Sequence, residues 1–180
     1  MYNNIKEAYY GGFVDIYKPS AENIECYDVN SLYPYAMQNK PMPVGAPTYF
    51  EGNPSYIPDL FGFVYAKINA PDIKTPILPL RLKTGVVIYP TGNWEGWYFT
   101  EELKNSEKYG YKFEILKGYH FQKAMIFKDY VQEFYNIKST VSPDNPWYLI
   151  AKLFLNALYG RFGMSPFMPC LLYTSPSPRD

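Results

Sequence analysis

One short segment governs the interpretation of this chain: Cys26-Tyr27-Asp28-Val29-Asn30-Ser31-Leu32-Tyr33-Pro34. The alternation of Ile24, Cys26 and Asp28 predicts a strand that ends at the carboxylate. Pro34 lacks an N–H and has a helical φ, so it predicts a helical turn over residues 34–37. A carboxylate placed there lies near free backbone N–H groups and could hold a metal ion beside a phosphate. Taken alone, Asp28 could instead cap the next turn.

Two further segments share a pattern with a known family. Residues 9–12 read Y-x-G-G, residues 28–34 read D-x-x-S-L-Y-P, and residues 152–160 read K-x-x-x-N-A-x-Y-G. In this order they resemble motifs of the family B DNA polymerases. The third of these motifs, the fingers motif, normally has Ser where Ala157 stands. The chain is most similar to the protein-primed polymerases of phages, adenovirus-like viruses and linear mitochondrial plasmids. The resemblance covers roughly residues 5 to 165 and implies DNA-directed DNA synthesis by two-metal nucleotidyl transfer.

The palm motif carries the catalytic expectation. The resemblance implies that Asp28 bridges two Mg²⁺ ions by its side chain and that Val29 contributes its carbonyl. Ser31, Leu32 and Tyr33 would contact the nucleotide, the last two through backbone N–H groups on the triphosphate. The Tyr33 ring would pack under the deoxyribose and exclude a 2′-OH.

The fingers motif supplies the other side of the expected nucleotide site. At about 100° per residue, Lys152, Asn156 and Tyr159 share one helix face. The resemblance implies that Lys152 neutralises triphosphate charge, that Asn156 and Tyr159 line the nascent base pair, and that Gly160 contacts DNA. Lys138 stands near the place of another phosphate-binding lysine. Without the palm motif, this face would read as a surface lysine and a satisfied asparagine on an ordinary helix.

The Y-x-G-G segment is less specific. Paired glycines permit positive φ and close backbone approach, so residues 11–12 could form a hairpin turn. The resemblance instead implies that Tyr9, Gly11 and Gly12 contact template DNA. The partners implied by the three motifs together are primer-template DNA, deoxynucleoside triphosphates and a terminal priming protein.

The expected fold class is α+β: a partial polymerase palm, a β-rich insertion of the kind that contacts the priming protein, and a helical fingers segment. The predicted divisions are the palm start at 1–39, the insertion at 40–99, helices and a strand at 100–138, the fingers helix at 139–164 and a tail at 165–180. The Ser/Pro-rich tail resembles translated vector sequence and is expected to be disordered.

Local patterns predict the elements between the motifs. The predicted strands cover residues 61–68, 85–89, 93–99 and 111–116, and the predicted helices run from Thr100 to Gly110, from 127 to 138 and from 146 to 162. Thr100 would be the N-cap of the first helix, and Gly110 its C′ residue. Residues 118–121 would turn out of the last strand. His120, the only histidine, is assigned a structural role.

Composition limits the alternatives. Seventeen basic and seventeen acidic residues balance, so any DNA-binding groove must be local. The 20 Tyr, 12 Phe and 3 Trp suit a thick core or base-stacking surfaces. Two cysteines make no metal spacing, and neither a membrane span nor a signal peptide is predicted.

The sequence also departs from the family pattern. Tyr148 stands where close relatives often carry a basic residue, and no Y-x-D-T-D segment supplies a second catalytic aspartate. The exonuclease carboxylates and the thumb are also missing. We therefore expect a polymerase fragment that cannot polymerise unaided, from a mitochondrial linear plasmid or a virus. The alternative is a non-catalytic remnant that binds nucleotide, DNA or a priming protein. A carbohydrate-binding module, suggested by the aromatic run at 93–99, explains none of the motifs.

Overall fold

The computed structural model describes residues 1–16 and 18–164, and they form a four-stranded antiparallel sheet, a two-stranded ribbon and five helices. The sheet has the order β1-β6-β2-β5, and β3 and β4 form a separate two-stranded ribbon. The strands are β1 (Met42–Glu51), β2 (Gly62–Ala70), β3 (Leu80–Arg81), β4 (Val87–Ile88), β5 (Gly92–Phe99) and β6 (Lys112–Ala124). The helices are α1 (Tyr2–Glu7), α2 (Leu32–Asn39), α3 (Thr100–Ser106), α4 (Lys128–Thr140) and α5 (Pro146–Gly163), with short 3₁₀ turns at Pro54–Tyr56 and Glu107–Tyr109. This mixed architecture confirms the α+β prediction.

The main core lies on one face of the sheet. Strand β2 alternates strictly, with Val64, Ala66 and Ile68 fully buried and the residues between them more exposed. Such a period-two pattern is what one buried sheet face produces. Buried Tyr98 packs among them, and its hydroxyl donates to the Pro79 carbonyl at 2.6 Å, which fastens the proline-rich segment to the sheet.

The helical layer has a second, smaller core. Helix α4 packs against both α2 and α5, and their contact buries Met37, Val131 and Leu155. The long helix α5 begins where Asn145 Oδ1 accepts a hydrogen bond from the Trp147 N–H at 3.0 Å. This cap and the proline after it are the start signals that the sequence contains.

Most of the predicted elements are present. The predictions for 61–68, 93–99, 127–138 and 146–162 correspond to β2, β5, α4 and α5. Helix α3 and the 3₁₀ turn after it end at Gly110, which has the expected left-handed φ of 84°. Only two residues of the predicted strand at 85–89 pair, and they form β4. His120 is structural, since its Nδ1 accepts a hydrogen bond from the Phe61 N–H at 3.3 Å.

Strand β6 corrects one prediction. The chain does not turn out of the sheet at 118–121; β6 continues through them to Ala124 and pairs with β1 and β2. Gly118 is required because neighbouring strands approach closely: a Cβ there would lie 2.8 Å from the Phe63 carbonyl oxygen and 2.9 Å from the Phe50 ring. The glycine marks a tight contact rather than a turn.

Two more predictions are wrong. The run that contains Ile24 and Asp28 is exposed and forms no strand, because no described strand pairs with its backbone. Thr100 is the first residue of α3 and not its cap; its hydroxyl accepts a hydrogen bond from the Gly62 N–H at 3.1 Å. The hairpin turn considered as an alternative for Gly11 and Gly12 does not form, and neither residue has a positive φ.

The structure does not test two of the predictions, the division into segments and the tail. The sheet draws strands from residues 42–124 and so spans both middle segments of the predicted division, whose boundaries stay predictions. The predicted tail at 165–180 lies outside the described residues. In the described part of the chain, no helix is both long and apolar enough to span a membrane.

The two glycines at 118 and 160 should respond oppositely to alanine. Gly118→Ala should lower the free energy of unfolding by about 1–3 kcal/mol, because the methyl group would overlap backbone atoms of β2. Gly160→Ala should raise it by about 0.5–1 kcal/mol, because Gly160 lies in α5 with open space around its Cβ position. Urea unfolding of both variants measures this, and equal effects would contradict the close approach at Gly118.

Candidate functional site

The turn before α2 is held in an uncommon backbone conformation. Ser31, its N-cap residue, has φ 55° and ψ 43°, the left-handed region, and its side chain makes no capping hydrogen bond. A non-glycine residue costs roughly 1–2 kcal/mol there, so surrounding contacts must hold it. Lys138 Nζ donates to Ser31 Oγ at 3.2 Å and ties the turn to α4. Two predicted nucleotide-contacting residues are therefore in direct contact.

A cleft of about 560 Å³ opens between this turn and helix α5. Its lining includes Asp28, Val29 and Tyr33 on one side, with Asn156 and Tyr159 on the other. Ser31 and Leu32 also line it. The fold thus brings the palm motif and the fingers motif to one cavity from distant parts of the sequence.

Two aromatic rings cross the cleft. The Tyr33 and Tyr159 rings are stacked, with centroids 4.2 Å apart and planes within 6° of parallel. About half of Tyr33 and over a third of Tyr159 remain exposed (48% and 37%). Stacked rings of this kind attract each other by about 0.5–1.5 kcal/mol beyond the area they bury, so the contact is easily exchanged for another flat partner.

The Asp28 carboxylate is exposed at the rim of this cleft. The two ion pairs among the described residues lie elsewhere, at Lys104–Glu101 and Lys123–Asp59, so Asp28 is not in either of them. It does not cap α2, whose N-cap is Ser31. The position is compatible with an acceptor for an external ligand.

Lys152 is less directly placed. It lies on α5 one turn before Asn156, is exposed, and does not line the cleft. Gly160 follows Tyr159 with open space around its Cβ position. The predicted stripe is therefore continuous along the helix, and two of its residues line the cavity.

The Y-x-G-G segment packs on the far end of the same helix. A Cβ on Gly163 would lie 2.7 Å from the Tyr9 ring, so the ring rests directly on the backbone of α5. Gly12 lies near the Tyr33 hydroxyl, which is 3.8 Å from its Cβ position. Gly11 has free space beside it and lines two neighbouring cavities.

Arg81 also belongs to this region, although no sequence pattern pointed to it. The β3–β4 ribbon carries Arg81 to the Y-x-G-G segment, where Nη2 donates to the Tyr9 carbonyl at 2.8 Å. Its guanidinium carbon lies 5.1 Å from the centroid of the Tyr10 ring, within the range of a cation–π contact. A lone arginine in a proline-rich stretch has no pattern that points to such a contact.

The residues present suit a hard divalent cation in part. Within residues 1–16 and 18–164, no three His, Cys, Asp or Glu side chains gather closely enough to hold a metal ion. Mg²⁺ does not need such a cage, because it commonly takes one or two carboxylates and fills its octahedron with water and substrate phosphates. The Asp28 carboxylate and the Val29 carbonyl beside the cleft offer ligands of this class.

Comparisons with known proteins agree with the motifs. Residues 1–173 match the family described as DNA polymerase type B, organellar and viral. A probable DNA polymerase of Ascobolus immersus is 49% identical over 166 residues, and the DNA polymerase of Bacillus phage Nf is 32% identical over 184 residues. These matches cover 90% and 92% of the chain but only 14% and 32% of the relatives.

A solved structure has a similar fold. Phi29 DNA polymerase complexed with primer-template DNA is 27% identical, with a TM-score of 0.62, over 77% of this chain and 25% of that one. The family match spans nearly the whole chain, and the relatives are named DNA polymerases from fungi and phages. This chain therefore belongs to the organellar and viral type B DNA polymerases.

Proposed function

We propose that this chain forms the nucleotide-facing part of a protein-primed DNA polymerase, which adds deoxynucleotides to a primer 3′-OH. The observation that carries the proposal is the shared cleft: Asp28 and Tyr33 line it from the palm motif, and Asn156 and Tyr159 from the fingers motif. A nucleotide has to touch both motifs at once, and one cavity meets that requirement. Residues 1–39 would be the start of the palm, 40–99 the β-rich insertion that meets the priming protein, and 139–164 the fingers.

Asp28 and Val29 would hold Mg²⁺ in this proposal. When bound, two such ions activate the primer hydroxyl and stabilise charge on the phosphates. The chain's own contribution is the exposed Asp28 carboxylate at the cleft rim, which would bind the ions and orient them. A second catalytic aspartate would come from a part of the polymerase that this chain, at 14–32% of its relatives' length, does not span. The chain would then be inactive alone.

Tyr33 would determine the choice of sugar. Its ring is stacked on Tyr159 in the cleft, and its hydroxyl lies near Gly12. A nucleotide that enters the cleft would replace the contact between the two rings with a contact to its own base or sugar. The rigid Tyr33 ring would then leave no room for a 2′-OH. Lys138 would bind the triphosphate, because its amine already lies 3.2 Å from the Ser31 hydroxyl at the cleft.

The partners and the setting follow from the relatives. Primer-template DNA is named in the phi29 polymerase structure, and we propose it for this chain together with deoxynucleoside triphosphates and a terminal priming protein. The relatives of Ascobolus immersus and Bacillus phage Nf support an organellar plasmid or a virus as the replicon. Tyr9, Gly11, Gly12 and Gly160 would contact the DNA.

Activity is tested in a hybrid polymerase. Residues 1–164 replace the matching segment of the Bacillus phage Nf polymerase, and primer extension is measured with Mg²⁺. The unsubstituted hybrid should extend a primer. A hybrid that folds and binds primer-template DNA but never extends it would contradict the proposed function and favour a non-catalytic remnant.

In this hybrid, Tyr33→Val should admit ribonucleotides. Removing the ring opens space beneath the sugar, so the preference for deoxynucleotides should fall roughly tenfold or more. Single-nucleotide incorporation kinetics with matched ribo- and deoxynucleotides measures the ratio. Tyr35→Val is the control, since Tyr35 lies exposed on the same helix outside the cleft. An unchanged ratio in Tyr33→Val would show that the ring does not select the sugar.

Asp28→Asn should abolish extension even at saturating nucleotide. The amide keeps the shape of the side chain but loses the charge that attracts the ions, so the loss falls on the chemical step. Asp144→Asn, an exposed aspartate before α5, is the matched control for loss of one negative charge. Recovery of Asp28→Asn by excess Mg²⁺ or nucleotide would mean that Asp28 is not an essential metal ligand.

Lys152→Ala should act mainly on nucleotide affinity. A charge-assisted contact to phosphate contributes roughly 1.5–3 kcal/mol, so the apparent KM should rise about ten- to a hundredfold, with some loss of rate. Steady-state kinetics across nucleotide concentrations separates the two effects. Lys152 lies outside the cleft lining. Unchanged KM and rate in Lys152→Ala would show that Lys152 is an ordinary surface residue of α5.

A further inference from the structure

A second cavity lies away from the nucleotide cleft, between the Y-x-G-G segment and the proline-rich segment of the insertion. Its volume is about 630 Å³, which falls within the range of small-molecule sites. Its walls are mainly aromatic and apolar, with the rings of Tyr10, Phe13 and Tyr89 facing Pro76 and Pro79. Phe13 and Tyr89 meet edge to face, with ring centroids 4.3 Å apart. Its aromatic and proline side chains offer apolar surface on which a base could pack.

One carboxyl group lines this apolar space. Glu102, in the first turn of α3, is the only ionisable acid among the lining residues that the structure describes. Burial raises its pKa to about 7, although the Phe99 N–H partly opposes the shift. A carboxyl group has about four acceptor positions, so one backbone N–H leaves it able to bind a further donor. Neither described ion pair involves it.

An adjacent cavity carries the opposite charge. It has a volume of about 620 Å³ and shares Tyr9 and Gly11 with the aromatic cavity. Lys6 and Arg81 line it, with Glu7 as the single acid. Arg81 uses one N–H on the Tyr9 carbonyl, and a guanidinium has five, so donors remain for an anion.

We infer that the two cavities form a nucleotide subsite for single-stranded DNA, in which an unpaired base enters the aromatic cavity and its phosphate meets Lys6 and Arg81. Glu102 accepts a hydrogen bond from an exocyclic amino group, so the subsite takes cytosine, adenine or guanine in preference to thymine. The inference rests on the proposed polymerase function for its ligand class. It places the subsite outside the cleft that holds the incoming nucleotide.

The observations favour a base over a cationic side chain. An ammonium or guanidinium group would suit Glu102 and the rings, but a cationic peptide there would lie close to Lys6 and Arg81, which line the adjacent cavity. A nucleotide combines a flat, stackable ring with an anion, and the two cavities present these complements side by side. Base stacking on aromatic residues tolerates different bases, so discrimination among bases would come from Glu102.

Binding of short homopolymers to the chain itself tests the inference. Cytosine has an amino group where thymine has a carbonyl, so labelled dC and dT oligonucleotides of equal length form a matched pair. Fluorescence anisotropy at fixed salt, and at a pH well above 7 where Glu102 is ionised and can only accept hydrogen bonds, should show roughly five- to tenfold tighter binding of the dC oligonucleotide, the scale of one or two hydrogen bonds. Glu102→Gln should remove this preference, because an amide can also donate to the thymine carbonyl.

The control is Glu101→Gln, which makes the same change one residue away, where Glu101 pairs with Lys104 on the surface. It should keep the preference, and thermal unfolding of both variants shows whether each is folded. Photocrosslinking of 5-iododeoxycytidine in the oligonucleotide gives a readout of position and should label the peptides that contain Tyr10 or Tyr89. If Glu102→Gln does not fold, the inference is tested by the crosslinked position and the dC preference of the unsubstituted chain.

Several outcomes would overturn the subsite. They are equal binding of dC and dT, a preference that survives in folded Glu102→Gln, crosslinks at the Tyr33–Tyr159 cleft alone, or no binding of single-stranded DNA. Tighter binding of a lysine-rich peptide than of the dC oligonucleotide would assign the cavity to a protein partner instead. Primer extension by the hybrid polymerase is scored separately, so any of these results leaves the proposed function standing, and failure of extension leaves the subsite standing.

Discussion

The register between β1 and β6 sets the position of the cleft between the palm motif and the fingers motif. Met42 pairs with Ala124, so the first residue of β1 lies beside the last residue of β6. Helix α2 ends three residues before that pair and α4 begins four residues after it, which places the two helices side by side. The Gln38 amide donates to the Gln132 side chain at 2.8 Å across their contact. A slip in this register would separate the palm turn from α4.

The same pairing passes the constraint on to α5. Helix α4 packs on α5 through Val131 and Leu155, and this contact brings Tyr159 over Tyr33. A sheet some distance from the cleft thus fixes the relative positions of two motifs that contact it only through helices. The sheet therefore has a structural role in the cleft, because β1 and β6 provide the register.

The sequence predicted the parts of this arrangement that local chemistry determines. Asn145 and the proline after it predict the start of α5, and Gly110 predicts the end of α3, because caps act within one turn. The motifs also predicted that Asp28 and Tyr33 would face Lys152, Asn156 and Tyr159; all of these except Lys152 line one cleft. That agreement came from the family resemblance, since no periodicity in the chain links residue 33 to residue 159.

The wrong predictions concern contacts between distant segments. Gly118 looked like a turn residue because the sequence does not show that β1 and β2 approach it from both sides. The alternation at Ile24 and Asp28 suggested a strand, but a strand also needs a neighbour, and none of the described strands provides one. Arg81 could not be found because its partner is a backbone carbonyl seventy-two positions earlier in the chain.

The resting of Tyr9 on Gly163 has a mechanical consequence. Helix α5 is touched near its C-terminal end by two tyrosines, Tyr9 at its last residue and Tyr33 through Tyr159, about one turn away. A tilt or rotation of α5 therefore strains both contacts together. Tyr9 is in turn fastened to the β3–β4 ribbon by Arg81. A motion of this helix must therefore move the N-terminal segment with it.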